Sequence, residues 1–431
     1  MAIASLRDEV VELLGGLIRL DTVNPPGNET AAAELLRDYL GESGVESELY
    51  AKVPERANLV ARLPGRGGPS LVLLSHTDTV VADAADWQVD PWSGELRDGE
   101  IWGRGALDMK GQVAASAVAL ASLAREGFDP AGDVIFVAAA DEEVGQDYGL
   151  PWLCREHPQA VRADFALNEG AGERLELLGR RFYPCASAEK KSSPFRLHVR
   201  GRAGHASVPG MTDNALVKAA SLIERLAAHR PALRLGPETD ALVQAVAGQP
   251  LEASEALALA KELDPLAAEL LEPLLSLTLS PTMISASERR NVVPSVCEVV
   301  VDCRLLPEQT QAEAETTLRE VLGDGDYDFE WIEGQGGTRS PLQTPLWQAI
   351  ESFVAEIEPG ATLVPICVAG FTDSHWLREA FGTVAYGFFP MRAMDAQLAA
   401  RLVHSADERI PADDLELAVD CFCHVARAVC G

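Results

Sequence analysis

The 431-residue sequence predicts an α/β fold, a mostly parallel sheet domain interrupted by an inserted ferredoxin-like α+β domain. Three observations predict it. Up to Leu167, continuous apolar runs alternate with helical patterns, the signature of parallel strands buried on both faces. From Pro194 to Ile332 the strands alternate apolar and polar residues instead. After Gly336–Gly337 the first texture returns. A chain of this length is also long for one core, which favours two domains.

The elements follow in order. The N-terminus, MAIASLRDEVVELLGGLIRL, repeats its apolar positions at helical spacing and lacks a basic start with a continuous apolar stretch. It reads as an amphipathic helix and not as a signal peptide. Residues 31–43 are helical and Asn58–Leu63 is a short strand. Ser70–Ser75 (SLVLLS) and Asp133–Ala140 (DVIFVAAA) are buried strands, with a long Ala-rich helix, Gln112–Arg125, between them. A further strand starts at Phe165. In the alternating region, strands Pro194–Arg200, Glu298–Arg304 and Phe329–Ile332, helices Asn214–Ala228 and Gln311–Leu322, and one more strand before Glu298 make a β-α-β-β-α-β pattern. An Ala/Leu/Glu-rich stretch, about Pro237–Ser280, reads as a helical insertion. Helix Leu346–Glu356, strand Thr362–Val368 and a helix from Ser374 then resume the first domain. The expected division is 1–188 with 338–431 for the sheet domain and 189–337 for the inserted one.

Composition narrows the function. With 36 basic against 66 acidic residues the net charge is −30, which repels phosphate backbones and anionic lipid, so no nucleic-acid or membrane partner is expected. No apolar run approaches the ~18 residues that span a bilayer. The eight cysteines show no paired spacing except Cys421-x-Cys423, which falls in a helical pattern and reads as buried small side chains. The expected compartment is the cytoplasm, where a chain of this size needs no disulfides.

Five segments carry chemistry. His76 directly follows an apolar strand, and Asp78, two residues on, is placed to fix its tautomer as a carboxylate behind a metal-binding imidazole does. Asp108 stands in WGRGALDMKG (102–111) immediately before a helix, where it either caps the helix or bridges two cations. Asp141-Glu142-Glu143 follows the strand VIFVAAA, and three acids at a buried strand end call for a neutralising cation. One of them would bind metal while its neighbour takes a proton from an activated water. Glu169 (NEG) and His404 (VHSADE) complete the set. Taken singly, each also has a plain reading as a cap, a turn or a solvated charge, though the acidic run between VIFVAAA and VG fits the last poorly. Together they give two histidines and three carboxylates, most of them near the carboxyl ends of strands, where sites in such sheets gather. Mixed nitrogen and oxygen ligation suits zinc, and also cobalt or manganese.

SHTDTV (75–80), WGRGALDMKG (102–111), DEEVG (141–145), NEG (168–170), RGRAGHAS (200–207), NVVP (291–294), DCRLLP (302–307) and VHSADERI (403–410) resemble, in order and along essentially the whole chain, the dinuclear metallohydrolases that include aminoacylase, acetylornithine deacetylase, succinyl-diaminopimelate desuccinylase and carboxypeptidases S and G. The resemblance implies two divalent cations. His76 and Glu169 would bind one, Glu143 and His404 the other, and Asp108 would bridge them. Asp78 would orient His76, and Glu142 would be the general base and acid. His205 matches a small-domain histidine that stabilises the oxyanion, and Asn291 and Arg304 match positions that contact substrate, including its carboxylate. The implied activity is hydrolysis of an amide bond in an N-acyl amino acid or dipeptide with a free carboxylate, with a biosynthetic deacylase as the alternative and a non-catalytic binding relative as a third reading. The inserted domain would act as a lid and dimerisation domain, so a homodimer is expected. The sequence departs from the family in reading HSADE where many relatives have Gly after the histidine, in carrying Phe371 within GFTDS, and in the longer 237–280 insertion.

Overall fold

The computed structural model describes residues 5–431. Positions 1–4 of the N-terminal helical pattern lie outside them. The chain divides into two compact units, one of Met1–Ser187, Arg339–Ile366 and Thr372–Gly431 and the other of Ala188–Thr338 with Cys367–Phe371.

The first unit is built on a nine-stranded mixed sheet. Its order is Glu46–Ala51, Ala57–Leu63, Val134–Ala139, Leu71–His76, Phe165–Asn168, Val384–Gly387, Arg180–Glu189, Thr362–Val368, with Leu175–Leu177 hooked onto Arg180–Glu189. The four strands at its centre, from Val134–Ala139 to Val384–Gly387, run parallel. Antiparallel pairs flank them on both sides. Leu71 and Leu73 pack into one apolar cluster, while Val72 and Leu74 pack into another on the opposite face. A strand buried on both faces has no polar side, which is why SLVLLS and DVIFVAAA read as unbroken apolar runs.

Helix Lys110–Arg125 is buried at every position from Lys110 to Leu123. It lies between the sheet and helices Leu6–Ile18 and Ala412–Cys430, and alanine lets three backbones and a sheet come close. Its start is two residues earlier than the sequence pattern placed it. Cys421 and Cys423 are buried in the last helix, and all eight cysteines are free thiols. Ser5 caps the N-terminal helix by accepting the Asp8 N–H.

In the second unit, strands Tyr327–Trp331, Phe195–Arg200, Val296–Leu305 and Thr278–Ser285 lie side by side, all antiparallel. In chain order these are the fourth, first, third and second strands, the ferredoxin-like arrangement. Cys297, Val299, Val301, Cys303 and Leu305 face inward, the period of two expected of a sheet covered on one side. Helices Ala215–Ala228 and Gln311–Leu322 supply that cover. The expected insertion is helical over Pro237–Ala247, Ala253–Leu263 and Pro265–Leu271, with a small core of its own around Leu257 and Leu275. It ends sooner than the composition suggested, because Thr278–Ser280 already pairs with Asp302–Arg304. Among the described residues no helix is long and apolar enough to cross a membrane.

Candidate metal centre

Three parallel strands deliver the site. His76 is the last residue of Leu71–His76 and sits beside Ala139 in register, so the Asp141–Glu143 turn begins directly next to it. Strand Phe165–Asn168 ends one residue before Glu169. Gly387 on the neighbouring strand makes room for that turn, since a Cβ there would lie 1.9 Å from the Glu169 carbonyl oxygen. Asp108 arrives from the loop before helix Lys110–Arg125. It does not cap that helix, whose N-cap is Met109 without a side-chain bond. His404 comes from the turn after helix Ala396–Leu402 and holds φ +59°, a left-handed conformation that few non-glycine residues adopt.

The five side chains converge. Asp108 Oδ1 lies 3.3 Å from His76 Nε2, and Asp108 Oδ2 lies 3.0 Å from His404 Nε2. Glu169 Oε1 is 3.7 Å from His76 Nε2, and Glu143 Oε2 is 3.4 Å from His404 Nε2. The residues form two triads that share Asp108, with the ligand atoms of each triad all within 4.8 Å of one another. Two ligands on a tetrahedral cation at the usual ~2.0–2.1 Å are about 3.3–3.4 Å apart, so this spacing fits a metal. His76 Nε2 and Glu143 Oε1 are buried and make no hydrogen bond of acceptable geometry, even though Asp108 lies close to the former. Both atoms point into the same centre, and a cation there would satisfy both. The nitrogen and oxygen donors suit two divalent cations of the zinc, cobalt or manganese kind.

The electrostatics agree with that reading. Burial works against a charged His76, but Asp108 and Asp78 outweigh it and hold the imidazole well above its ordinary pKa. Asp108 and Glu143 together raise His404 to about 10. Burial pushes Glu169 up to about 8, with Asp108 adding to it. Burial also pushes Glu142 well above the carboxylate range, and Glu169, Asp373 and Asp108 add to the shift. Acids crowded enough to resist ionisation are what positive charge at the centre would relieve.

Glu142 lies beside the same histidine, with Oε2 3.9 Å from His76 Nε2. Asp78 serves two purposes. The His76 ring Nδ1 meets the Asp78 backbone carbonyl at 3.1 Å and its carboxylate Oδ1 at 3.3 Å, which leaves Nε2 to face Asp108. The same carboxylate accepts the backbone N–H groups of Glu142 and Glu143, each at 3.1 Å. Asp78 therefore positions both the histidine and the two glutamates.

Behind Asp78 lies a buried network in which the sequence pattern assigned no roles. Asn24 Nδ2 donates to Asp78 Oδ2 and to Asp141 Oδ1, each at 3.0 Å. Arg56 Nη2 donates to the same Asp141 oxygen at 3.2 Å, and Arg56 also pairs with buried Glu29 through two bonds of 2.6 and 2.7 Å. Of the three consecutive acids, then, Asp141 is neutralised by an arginine, and only Glu142 and Glu143 face the centre. Asn168, next to Glu169, donates to Thr372 Oγ1 and Ser374 Oγ.

The remaining candidates belong to the second unit. His205 and Asn291 lie together there: Gly204–His205 pairs with Val292–Val293, and the Ala206 N–H donates to the Asn291 carbonyl. His205 Nδ1 accepts the Ser207 N–H at 3.2 Å, so the tautomer assigned from that bond carries its proton on exposed Nε2. Arg304 lies on strand Val296–Leu305, apart in sequence from that pair, and its Nε–Nη2 edge is held by Asp302 at 3.0–3.2 Å.

Residues 72–428 match the sequence profile of Peptidase family M20/M25/M40. The chain is 27% identical over 433 residues to succinyl-diaminopimelate desuccinylase from Methylobacterium nodulans, covering 96% of this chain and 95% of that protein. It is 28% identical over 412 residues to aminoacylase-1 from Sus scrofa, covering 93% and 90%. The M20 family metallo-carboxypeptidase Sso-CP2 from Sulfolobus solfataricus shares the fold, with a TM-score of 0.75 at 18% identity and coverage of 98% and 99%. The chain is a hydrolase of amide bonds and belongs to Peptidase family M20/M25/M40.

Proposed function

We propose that the chain uses two divalent cations, zinc by preference, to hydrolyse the amide bond of an N-acyl amino acid or a dipeptide that bears a free carboxylate. The observation that carries this is Asp108, which offers one oxygen toward each of two histidines, with Glu169 and Glu143 completing the two sides. His76 and Glu169 would hold one cation, Glu143 and His404 the other, and Asp108 both. Bound there, the cations would supply Lewis acidity, lowering the pKa of the attacking water and polarising the scissile carbonyl.

The chain's own residues do the rest. Glu142, half-buried and prone to hold a proton, accepts one from the attacking water and returns it to the leaving amine. Asp78 fixes the direction of Glu142 through the backbone N–H it holds. His205, with its proton on Nε2, would donate to the oxyanion. Asn291 would contact the substrate. Asp302 occupies one edge of Arg304, so a substrate carboxylate would meet the Nη1 side. The unit around 189–337 would act as lid and dimerisation domain, and we read the protein as a cytoplasmic homodimer without nucleic-acid or membrane partners.

The desuccinylase relative covers nearly the whole chain, which supports a second reading, a biosynthetic deacylase that removes an acyl group from a diamino acid. A hydrolysis screen separates the two. Metal-reconstituted protein is offered N-acetyl amino acids, dipeptides and N-succinyl diamino acids, with Glu142→Ala as control. Turnover confined to succinylated substrates would favour the second reading, and no turnover on any would reject both.

A further inference from the structure

Asp108 can reach both histidines only if the loop that carries it is held still. Residues 103–108 are spanned by one side chain from some 300 positions later, Glu408, which is fully buried. Its Oε1 accepts the backbone N–H groups of Leu107 at 2.7 Å and Asp108 at 3.0 Å. Its Oε2 accepts Arg104 Nη1 at 2.6 Å and the Gly105 N–H at 3.1 Å. The Glu408 backbone carbonyl takes the Gly103 N–H at 2.9 Å. Five donors from one loop therefore end on one residue. The contact continues as a ladder, with Arg409–Pro411 paired to Glu100–Trp102.

Glu408 also stands four residues after His404, in the same connection between helix Ala396–Leu402 and strand Arg409–Pro411. Asp407, between them, holds φ +61° and accepts both the backbone N–H and the Nε2 of Gln88. One short segment thus presents the histidine on the exposed side of the centre and grips the backbone of the carboxylate shared by both sides. We propose that Glu408 is a positioning residue for the His404/Glu143 half of the centre: by holding the 104–108 loop it sets the 3.0 Å approach of Asp108 Oδ2 to His404 Nε2. Both sides use Asp108, but the His76 side depends on Glu408 less, because His76 itself is fixed by its strand and by Asp78, whereas His404 lies on the same short segment as Glu408. This inference rests on the two-cation reading above.

The chemistry demands a carboxylate. All four side-chain partners are donors, and a carboxylate is acceptor-only, with room for four. Glutamine at this position would turn an NH2 group into one of the two donor pairs. Aspartate would keep the acceptors but reach less far.

The test is a metal titration of the full chain. Metal-free wild type and E408Q are titrated with zinc against a competing chelator, and bound zinc per chain is counted. Wild type should bind two equivalents. E408Q should keep one at near wild-type affinity and bind the second about 10- to 100-fold more weakly, the usual scale for losing a group that orients a metal ligand. E408D should weaken the same equivalent by a smaller factor, and it takes the place of E408Q if that variant fails to fold by circular dichroism. Equal weakening of both equivalents, or no weakening in either variant, overturns the role of Glu408. Wild type that binds fewer than two equivalents overturns the two-cation reading instead.

Discussion

The two sides of Asp108 are built differently. On one side, His76 ends a central parallel strand, its side chain is 1% exposed, and its ring is fixed by Asp78, itself wholly buried. On the other, the His404 side chain is 50% exposed and sits on a left-handed turn outside the sheet. A ligand on a strand end inherits its position from the sheet. A ligand on a turn must be fixed by side chains, which is what Glu408 and Asp407 do. The expected consequence is one protected cation and one exchangeable cation.

The largest effect expected concerns neither histidine. Glu142 lies on the His76 side and binds no metal in this reading, so Glu142→Ala should keep two equivalents of zinc while kcat falls by about 10²- to 10⁴-fold, the range for losing a general base. A kcat near wild type with zinc retained would end the assignment. The asymmetry itself is tested by graded dialysis against a chelator, with metal counted per chain. The His404-side cation should leave first, and His404→Ala should hold a single tight equivalent. His76→Ala should disturb the centre more and lower the melting temperature too, because it opens a cavity in a buried hydrogen-bonded site. Release of both cations together would erase the distinction between the two sides.

The same contrast explains what the sequence made legible. His76, the Asp141–Glu143 run and Glu169 each follow an apolar strand, so a local pattern marks them. Asp108 and His404 are not marked in this way; their residue types make them candidates, and the ordered resemblance to known metallohydrolases makes Asp108 the bridge and gives His404 to one side. The bracing residues receive no role from either kind of reading, even Glu408, which lies within the VHSADERI segment. Asn24 meets Asp141 across 117 positions and Glu408 meets Asp108 across 300, and no local spacing encodes such contacts. The parallel centre of the sheet is legible for the same reason as its ligands, since burial on both faces leaves unbroken apolar runs. One of its edge strands is not. Glu46–Ala51 reads ESELYA, a half-exposed strand whose identity comes from pairing with Ala57–Leu63. The helical insertion shows in composition, but its end does not, because the switch to strand at Thr278 is imposed by pairing with Val296–Leu305.

A smaller effect sharpens the protected side. Asp78→Asn keeps the shape of the side chain but turns an NH2 toward donors, since Asn24 and the Glu142 and Glu143 N–H groups all need acceptors. Zinc affinity on the His76 side should fall about 10- to 100-fold, with the His404 side less affected. A loss confined to the His404 side would reverse the proposed roles.

The exchangeable side should also answer to pH. In the metal-free chain, Asp108 and Glu143 lift His404 from an unfolded value near ~6.5 to about 10. Protonated His404 therefore contributes to the stability of the metal-free fold fully below about 6.5, and that contribution is lost as pH rises through about 10. A cation competes for the same ring nitrogen, so each one bound there below pH 10 must release a proton. Affinity on this side should rise about tenfold per pH unit across the neutral range. Calorimetric titration of metal-free protein in buffers of different ionisation enthalpy counts the protons released, and His404→Ala should release about one fewer than wild type. Equal proton release from the two proteins would mean that His404 enters the complex already neutral, and the carboxylates around it would then not be what holds its proton.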